Sequence, residues 1–127
     1  MAKKFNHKIK IYYEDTDSGG VVYYANYLKY LERARSEAIY SLGLSNSKLQ
    51  KDYGALIIVK SCNINYKKPA KFEDNLEIFS SVTSKTRTSF SMSQTIKRNE
   101  EIISEAEVQL VTCLLYTSDA ADDELGV

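Results

Sequence analysis

Tyr12-Tyr13-Glu14-Asp15-Thr16-Asp17-Ser18-Gly19-Gly20-Val21-Val22-Tyr23-Tyr24-Ala25-Asn26-Tyr27 is the stretch in which the periodicity of the chain changes. Upstream of it, Phe5, His7, Ile9, Ile11 and Tyr13 alternate with Lys8, Lys10 and Tyr12, a period of two that predicts a half-buried strand. Ser18-Gly19-Gly20 breaks that strand. From Tyr24 onward, Tyr24, Tyr27, Leu28, Leu31, Ala34, Arg35, Ala38 and Leu42 recur at spacings of three and four, with Lys29, Glu32, Arg33, Ser36 and Glu37 between them. This predicts an amphipathic helix, with Asn26 a candidate cap and Gly43 its end in a left-handed turn onto which Leu44 folds back.

The remainder is strand-like. Ala55 to Tyr66 opens on an apolar run and then alternates, and Pro69, the single proline, marks a turn after it. Leu76, Ile78 and Val82 form one alternating face, and Phe90, Met92, Gln94 and Ile96 another. Arg98-Asn99-Glu100-Glu101 is polar enough to turn a hairpin, and Ile102, Ser104, Ala106, Val108, Leu110 and Thr112 alternate again. One strand, one long helix and four further strands with short links predict an α+β domain, an antiparallel sheet of about five strands wrapped around one helix. After Cys113 the pattern lapses into the small, acidic stretch Ser118-Asp119-Ala120-Ala121-Asp122-Asp123-Glu124. The expected division is a domain over residues 1–113 and an atypical, dispensable tail over 114–127.

Bulk properties narrow the function. A chain of 127 residues, 43% of them hydrophobic, suits one domain with a real core. Lys+Arg and Asp+Glu are both 17, which gives no argument for nucleic acid or an anionic membrane as partner. No apolar run approaches the roughly 20 residues of a bilayer span, and the N-terminal residues lack the apolar stretch of a signal peptide. Cys62 and Cys113 suggest neither a disulfide framework nor a zinc site, so reduced thiols in a cytoplasm are expected. His7 is the single histidine, which leaves no Ser-His-Asp triad within one chain.

The opening stretch carries the chemistry. It crowds Glu14, Asp15 and Asp17 into a turn just before a Gly-Gly pair and a helix start. A helix N-terminus offers unpaired N–H groups and a positive dipole end that can hold a developing oxyanion. A carboxylate beside it can attack, or activate water, at the same carbonyl. Asp before Ser-Gly-Gly equally suits a simple turn. Glu14 and Asp15 read as solvated or structural, and the spacing of Tyr24 suits helix packing as well as a site.

The chain resembles the hotdog-fold acyl-CoA thioesterases of the 4-hydroxybenzoyl-CoA thioesterase type. Within them it is most similar to the bacterial enzymes associated with the Tol–Pal cell-envelope system. The resemblance rests on Tyr12 to Asp17, Gly19-Gly20-Val21-Val22-Tyr23, Asn26-Tyr27, Leu31-Glu32-Arg33-Ala34-Arg35-Ser36-Glu37, and Tyr66-Lys67-Lys68-Pro69-Ala70 with Asp74. It implies a thioester hydrolase in which Asp17 is nucleophile or general base and the backbone N–H of Tyr24 binds the thioester carbonyl. Gly19, Gly20, Val21, Val22, Tyr23, Asn26 and Tyr27 would line the substrate, and Lys67, Lys68 and Arg87 would meet the CoA phosphates. Acyl-CoA or acyl carrier protein would be the substrate, with no metal or other cofactor. The expected assembly is a homodimer whose sheets join edge to edge, with pockets at its interface, and often a tetramer of two dimers. A hotdog hydratase or dehydratase, which would need a positioned His–acid pair, and a non-catalytic acyl-binding or interaction module are the competing readings.

Two features depart from the family. Tyr24 stands where Tol–Pal-associated members usually have His, while the aromatic-acyl branch accepts Tyr. The tail from about Cys113 resembles a translated stretch of sequencing-adaptor DNA rather than the family's basic, proline-containing end.

Overall fold

The computed structural model describes residues 4–114. β1 (Lys4–Lys10) leads through a 3-10 turn at Tyr13–Asp15 to α1 (Tyr24–Ser41), followed by α2 (Asn46–Tyr53), β2 (Ala55–Tyr66), β3 (Asn75–Lys85), β4 (Ser89–Arg98) and β5 (Glu101–Leu114). The five strands form one antiparallel sheet in the order β1-β3-β4-β5-β2. One face of it lies on α1, as expected for an α+β sheet around a long helix. Leu114 still pairs with Ala55; the rest of the atypical tail lies outside the described residues.

The buried stripe of α1 is Tyr27, Tyr30, Leu31, Ala34 and Ala38. Tyr30 replaces Leu28 on the expected apolar face: Leu28 sits on the flank of the stripe and is exposed. The helix ends as its glycine predicts. Gly43 has φ 79°, its N–H donates to Tyr40 O at 2.9 Å, and Leu44 N–H reaches Ile39 O at 3.3 Å. These two bonds satisfy carbonyls that the last turn would otherwise leave free. Against the stripe pack Leu76, Ile78, Met92, Ile96, Ile103, Ala106, Val108 and Leu110.

Three features differ from the sequence expectation. The chain has a second helix, α2, capped by Ser45 Oγ, which accepts from Lys48 N–H at 3.0 Å, and closed by Gly54 at φ 61°. Next, β2 and β3 are not neighbours: β2 pairs with β5 and β3 with β1, so residues 67–74 form a crossover between distant strands rather than a hairpin. Last, the two-residue alternation of β5 breaks at a bulge. Ile96 faces Ser104 and Lys97 faces Ile102, so Ile103 is the extra residue and is fully buried.

A polar cluster crosses the core beneath α1. Gln94, 0% exposed, donates to Leu31 O at 3.1 Å and Ser80 Oγ at 3.0 Å, and its Oε1 accepts from Arg35 Nη1 at 2.9 Å.

Candidate active site

The segment between β1 and α1 is built as a tight loop held by its own hydrogen bonds. Asp15 Oδ2 accepts from Tyr12 N–H at 2.9 Å and Thr16 Oγ1 donates to Tyr13 O at 2.8 Å, which fixes the 3-10 turn. Asp15 is structural, as its sequence reading allowed. Asp17 N–H donates to Val21 O at 2.9 Å and Gly20 N–H to Asp17 O at 3.0 Å, closing a small loop around Ser18 and Gly19. Gly19 N–H donates to Asp17 Oδ1 at 2.8 Å, so one carboxylate oxygen orients the turn. The two glycines suit this turn for different reasons. A Cβ on Gly19 would lie 3.3 Å from Asp17 Oδ1, and Gly20 has φ 79°, a region that disfavours side chains. Asp17 itself is exposed.

The first turn of α1 faces the same region. Its N-cap is Tyr23, which makes no side-chain capping bond, and the turn contains no acidic residue. Among the described residues nothing accepts the Tyr24 N–H. The helix therefore begins with an unfilled donor and the positive end of its dipole.

Asn26 is not the cap. It lies inside the helix and its Nδ2 donates to Asp15 O at 2.8 Å, which ties the loop to the first turn. Tyr23 N–H reaches the same carbonyl at 3.3 Å.

Aromatic rings surround this end. Tyr24 and Tyr66 have centroids 4.8 Å apart, and Tyr27 stands edge-on to Tyr66 at 5.1 Å. Tyr23 and Tyr24 are largely exposed, whereas Tyr27 is buried and its hydroxyl accepts from Ala70 N–H at 3.0 Å. Burial raises the pKa of Tyr27, so it stays a neutral phenol. Tyr66, at the last position of β2, stands beside the helix start, a placement that sequence reasoning did not single out; its place in the Tyr66-to-Ala70 match was the available signal.

Several expected site residues are placed otherwise. Val22 is 3% exposed and belongs to the core, and its N–H is given to Ala70 O at 2.8 Å. Val21 bridges to Lys71. Lys68 Nζ lies 2.6 Å from Glu101 Oε2 and Lys67 Nζ 3.5 Å from Glu105 Oε1, so each cation already has a carboxylate. Arg87 sits in the β3–β4 turn, at the opposite end of the sheet from the loop that follows Lys10. His7 is in the middle of β1 facing Ile78, and Cys62 lies on β2 at the other edge of the sheet, so the two do not meet within one chain.

A sheet wrapped on one long helix, with a glycine turn presenting a carboxylate at the helix start, is the architecture of a hotdog thioesterase. The profile of the thioesterase superfamily matches residues 19–104, and the chain belongs to that superfamily. Among similar proteins, the Acyl-CoA thioester hydrolase YbgC of Escherichia coli O6:H1 (strain CFT073) is 40% identical over 111 residues, 87% of this chain and 81% of its own. A probable thioesterase from Bartonella henselae superposes with a TM-score of 0.82 at 29% identity, over 88% of this chain and 93% of that one. A 4-hydroxybenzoyl CoA thioesterase mutant complexed with 4-hydroxybenzoyl CoA shares the fold, with a TM-score of 0.83 at 20% identity over 91% and 87% of the two chains.

Proposed function

We propose that this chain hydrolyses acyl-CoA thioesters to a free acid and CoA, with Asp17 as the catalytic carboxylate and the Tyr24 N–H as the oxyanion donor. The carrying observation is the pairing of an exposed Asp17, oriented through Oδ1 by Gly19, with an uncapped helix start. Oδ2 has no partner among the described residues and is the oxygen available to a substrate. It either attacks the thioester carbon, giving a mixed anhydride and CoA thiolate, with water then cleaving the anhydride to the free acid and the Asp17 carboxylate, or takes a proton from the water that attacks. In both routes the carbonyl oxygen gains negative charge, which the free Tyr24 N–H is oriented in advance to meet. No base other than a carboxylate is required, because the thiolate is a good leaving group.

The similarity to the YbgC protein supports CoA as the thiol. Acyl carrier protein presents a similar thioester and is the alternative carrier. The resemblance across Tyr12–Asp17 also supports a link to the Tol–Pal envelope system, and the free thiols of Cys62 and Cys113 support a cytoplasmic site of action. Thiol release from acetyl-, hexanoyl-, palmitoyl- and benzoyl-CoA tests the activity; no release from any of them, at a protein concentration where the fold is intact by circular dichroism, would overturn it.

Tyr24 and Tyr66 are proposed to form the wall met by the acyl group. Tyr24→His keeps the backbone donor and changes the ring. Benzoyl-CoA turnover relative to hexanoyl-CoA should then fall by about 3- to 10-fold, the worth of one aromatic contact. An unchanged ratio would remove Tyr24 from the acyl site.

The proposed assembly is a homodimer formed along β2, with a tetramer of two such dimers as the further step. In support, β2 is an unpaired edge of 12 residues that exposes 41% of Ile58 and 42% of Val59. An exposed apolar edge is a liability that a second copy removes. Light scattering at low micromolar concentration should give at least a dimer. A monomer with full thiol-release activity would refute a site shared between subunits.

A further inference from the structure

We propose that Arg98, on the far side of the crossover from Asp17, is a positioning residue that sets the geometry of the catalytic loop. This rests on the reading of Asp17 and Tyr24 given above.

The loop that carries Asp17 draws much of its shape from the crossover segment, residues 67–74. Val22 N–H donates to Ala70 O at 2.8 Å, and Phe72 N–H donates to Gly20 O at 3.1 Å. Tyr13 and Phe72 meet edge to face at 5.7 Å, and Ala70 N–H donates to the Tyr27 hydroxyl at 3.0 Å. Two further bonds, Glu73 N–H to Ile11 O at 3.0 Å and Ile11 N–H to Asp74 O at 2.9 Å, fasten the crossover to the root of the loop. Any shift of residues 69–74 is therefore passed to Gly20 and Val22, on either side of Val21, whose carbonyl holds Asp17 N–H.

The crossover is strained and is held from outside. Glu73 has φ 70°, a left-handed conformation that a side chain disfavours. Arg98 grips the segment at two points: Nη1 donates to Asp74 Oδ2 at 2.6 Å and to Pro69 O at 3.2 Å. Its other edge is fixed by Glu101 Oε1, which accepts from Nη2 at 2.7 Å and Nε at 3.2 Å. Asp74 Oδ2 also accepts from Lys71 N–H at 2.8 Å, so the same carboxylate shapes the turn that Arg98 holds. Lys67 and Lys68 N–H both donate to the carbonyl of the bulge residue Ile103, at 2.9 and 3.1 Å. A planar fork with fixed donors suits this task, and a lysine cannot reproduce it.

Glu101, the outer anchor of the clamp, stays ionised at neutral pH. Lys68 first, and Arg98 with it, hold the Glu101 carboxyl down to about 2. A depressed carboxylate contributes its stabilisation above its unfolded pKa and loses it only as pH falls toward the folded value.

The test is Arg98→Gln, assayed with the acyl-CoA that the parent protein turns over fastest. A loop displaced by about 1 Å can cost 10²-fold in rate, so kcat should fall by about 10- to 100-fold with KM within about 3-fold. Amide exchange of Val22 and Phe72 should quicken by at least about 10-fold, while the β4–β5 ladder around Gln94 and Ala106 keeps its protection. Arg98→Lys, which keeps a charge against Asp74 but not the fork, should be intermediate in both readouts, and it decides the matter if Arg98→Gln does not fold. A parent-like kcat in Arg98→Gln, or in Arg98→Lys where that decides, overturns the inference. So does exchange that quickens uniformly across the sheet, the mark of a merely structural residue. Asp17→Asn, measured beside them, separates the two levels: if it too is parent-like, the assignment of Asp17 falls; if it alone is inactive, only the role of Arg98 falls.

Discussion

Asp17→Asn keeps the fold and loses thioester hydrolysis by at least about 10²-fold, the lower range for removal of a general base. The fold survives because the amide oxygen of Asn can still accept the Gly19 N–H that now bonds Asp17 Oδ1 at 2.8 Å. The chemistry does not survive, because the remaining atom becomes an NH2 group that neither attacks a carbonyl nor takes a proton from water. Circular dichroism should overlay the parent while thiol release collapses. Turnover within a few-fold of the parent would mean that the carboxylate is a turn-former only, and that another group does the work.

Gln94→Met is expected to cost about 3 kcal/mol of stability, because it strands a half-buried cation. Gln94 is the only hydrogen-bond acceptor recorded for Arg35 among the described residues, and burial already lowers the pKa of that guanidinium. The amide also supplies the donor for Leu31 O and Ser80 Oγ, both of which lose it in the variant. Met matches the shape of Gln, so cavity formation contributes little and the loss reports unsatisfied polar groups. At roughly 4 °C per kcal/mol for a domain of this size, the melting temperature should fall by about 12 °C. Adding Arg35→Met should recover more than half of that loss, since an apolar pair in place of a broken polar one removes the stranded charge. A single variant within about 1 kcal/mol of the parent would show that water reaches Arg35 and replaces the amide.

These residues also show what a sequence can and cannot disclose. α1 was legible because Tyr27, Leu31, Ala34 and Ala38 repeat with the helical period and Gly43 terminates them. The same period did not separate Tyr30 from Leu28, since both are apolar and only tertiary packing decides which faces the sheet. α2 was overlooked because Asn46–Tyr53 buries no residue fully and so has no apolar stripe, although Ser45 and Gly54 were valid signals for its two ends. Strand alternation located β2 to β5 but carries no information about which strands are neighbours, hence the crossover in place of a hairpin. Ile103 escaped because a bulge shifts the alternation by one residue.

The candidate site divides in the same way. Asp17, Gly19, Gly20 and Tyr24 fall in one short run and could be read together. Arg98 acts on Asp74 and Pro69, remote in sequence, and a lone arginine beside a hairpin has no local pattern to announce it.

The crossover has a consequence for how the protein matures on the ribosome. β2 leaves the tunnel well before β5, its one partner strand among the described residues, since Ala55 pairs with Leu114 and Tyr66 with Ser104. β1 likewise waits for β3, as Lys10 pairs with Asn75. The last pieces of the crossover clamp, Arg98 and Ile103, emerge later still. Long-range pairings of this kind make folding slow relative to local helices, and synthesis at about 5–20 residues per second sets the wait. α1 can thus form early, with its apolar stripe and open N-terminus unprotected, while the turn bearing Asp17 acquires its final shape only after the β4–β5 hairpin has been translated. A nascent chain stalled before that hairpin should carry the whole proposed catalytic motif and yet be unable to cleave a thioester.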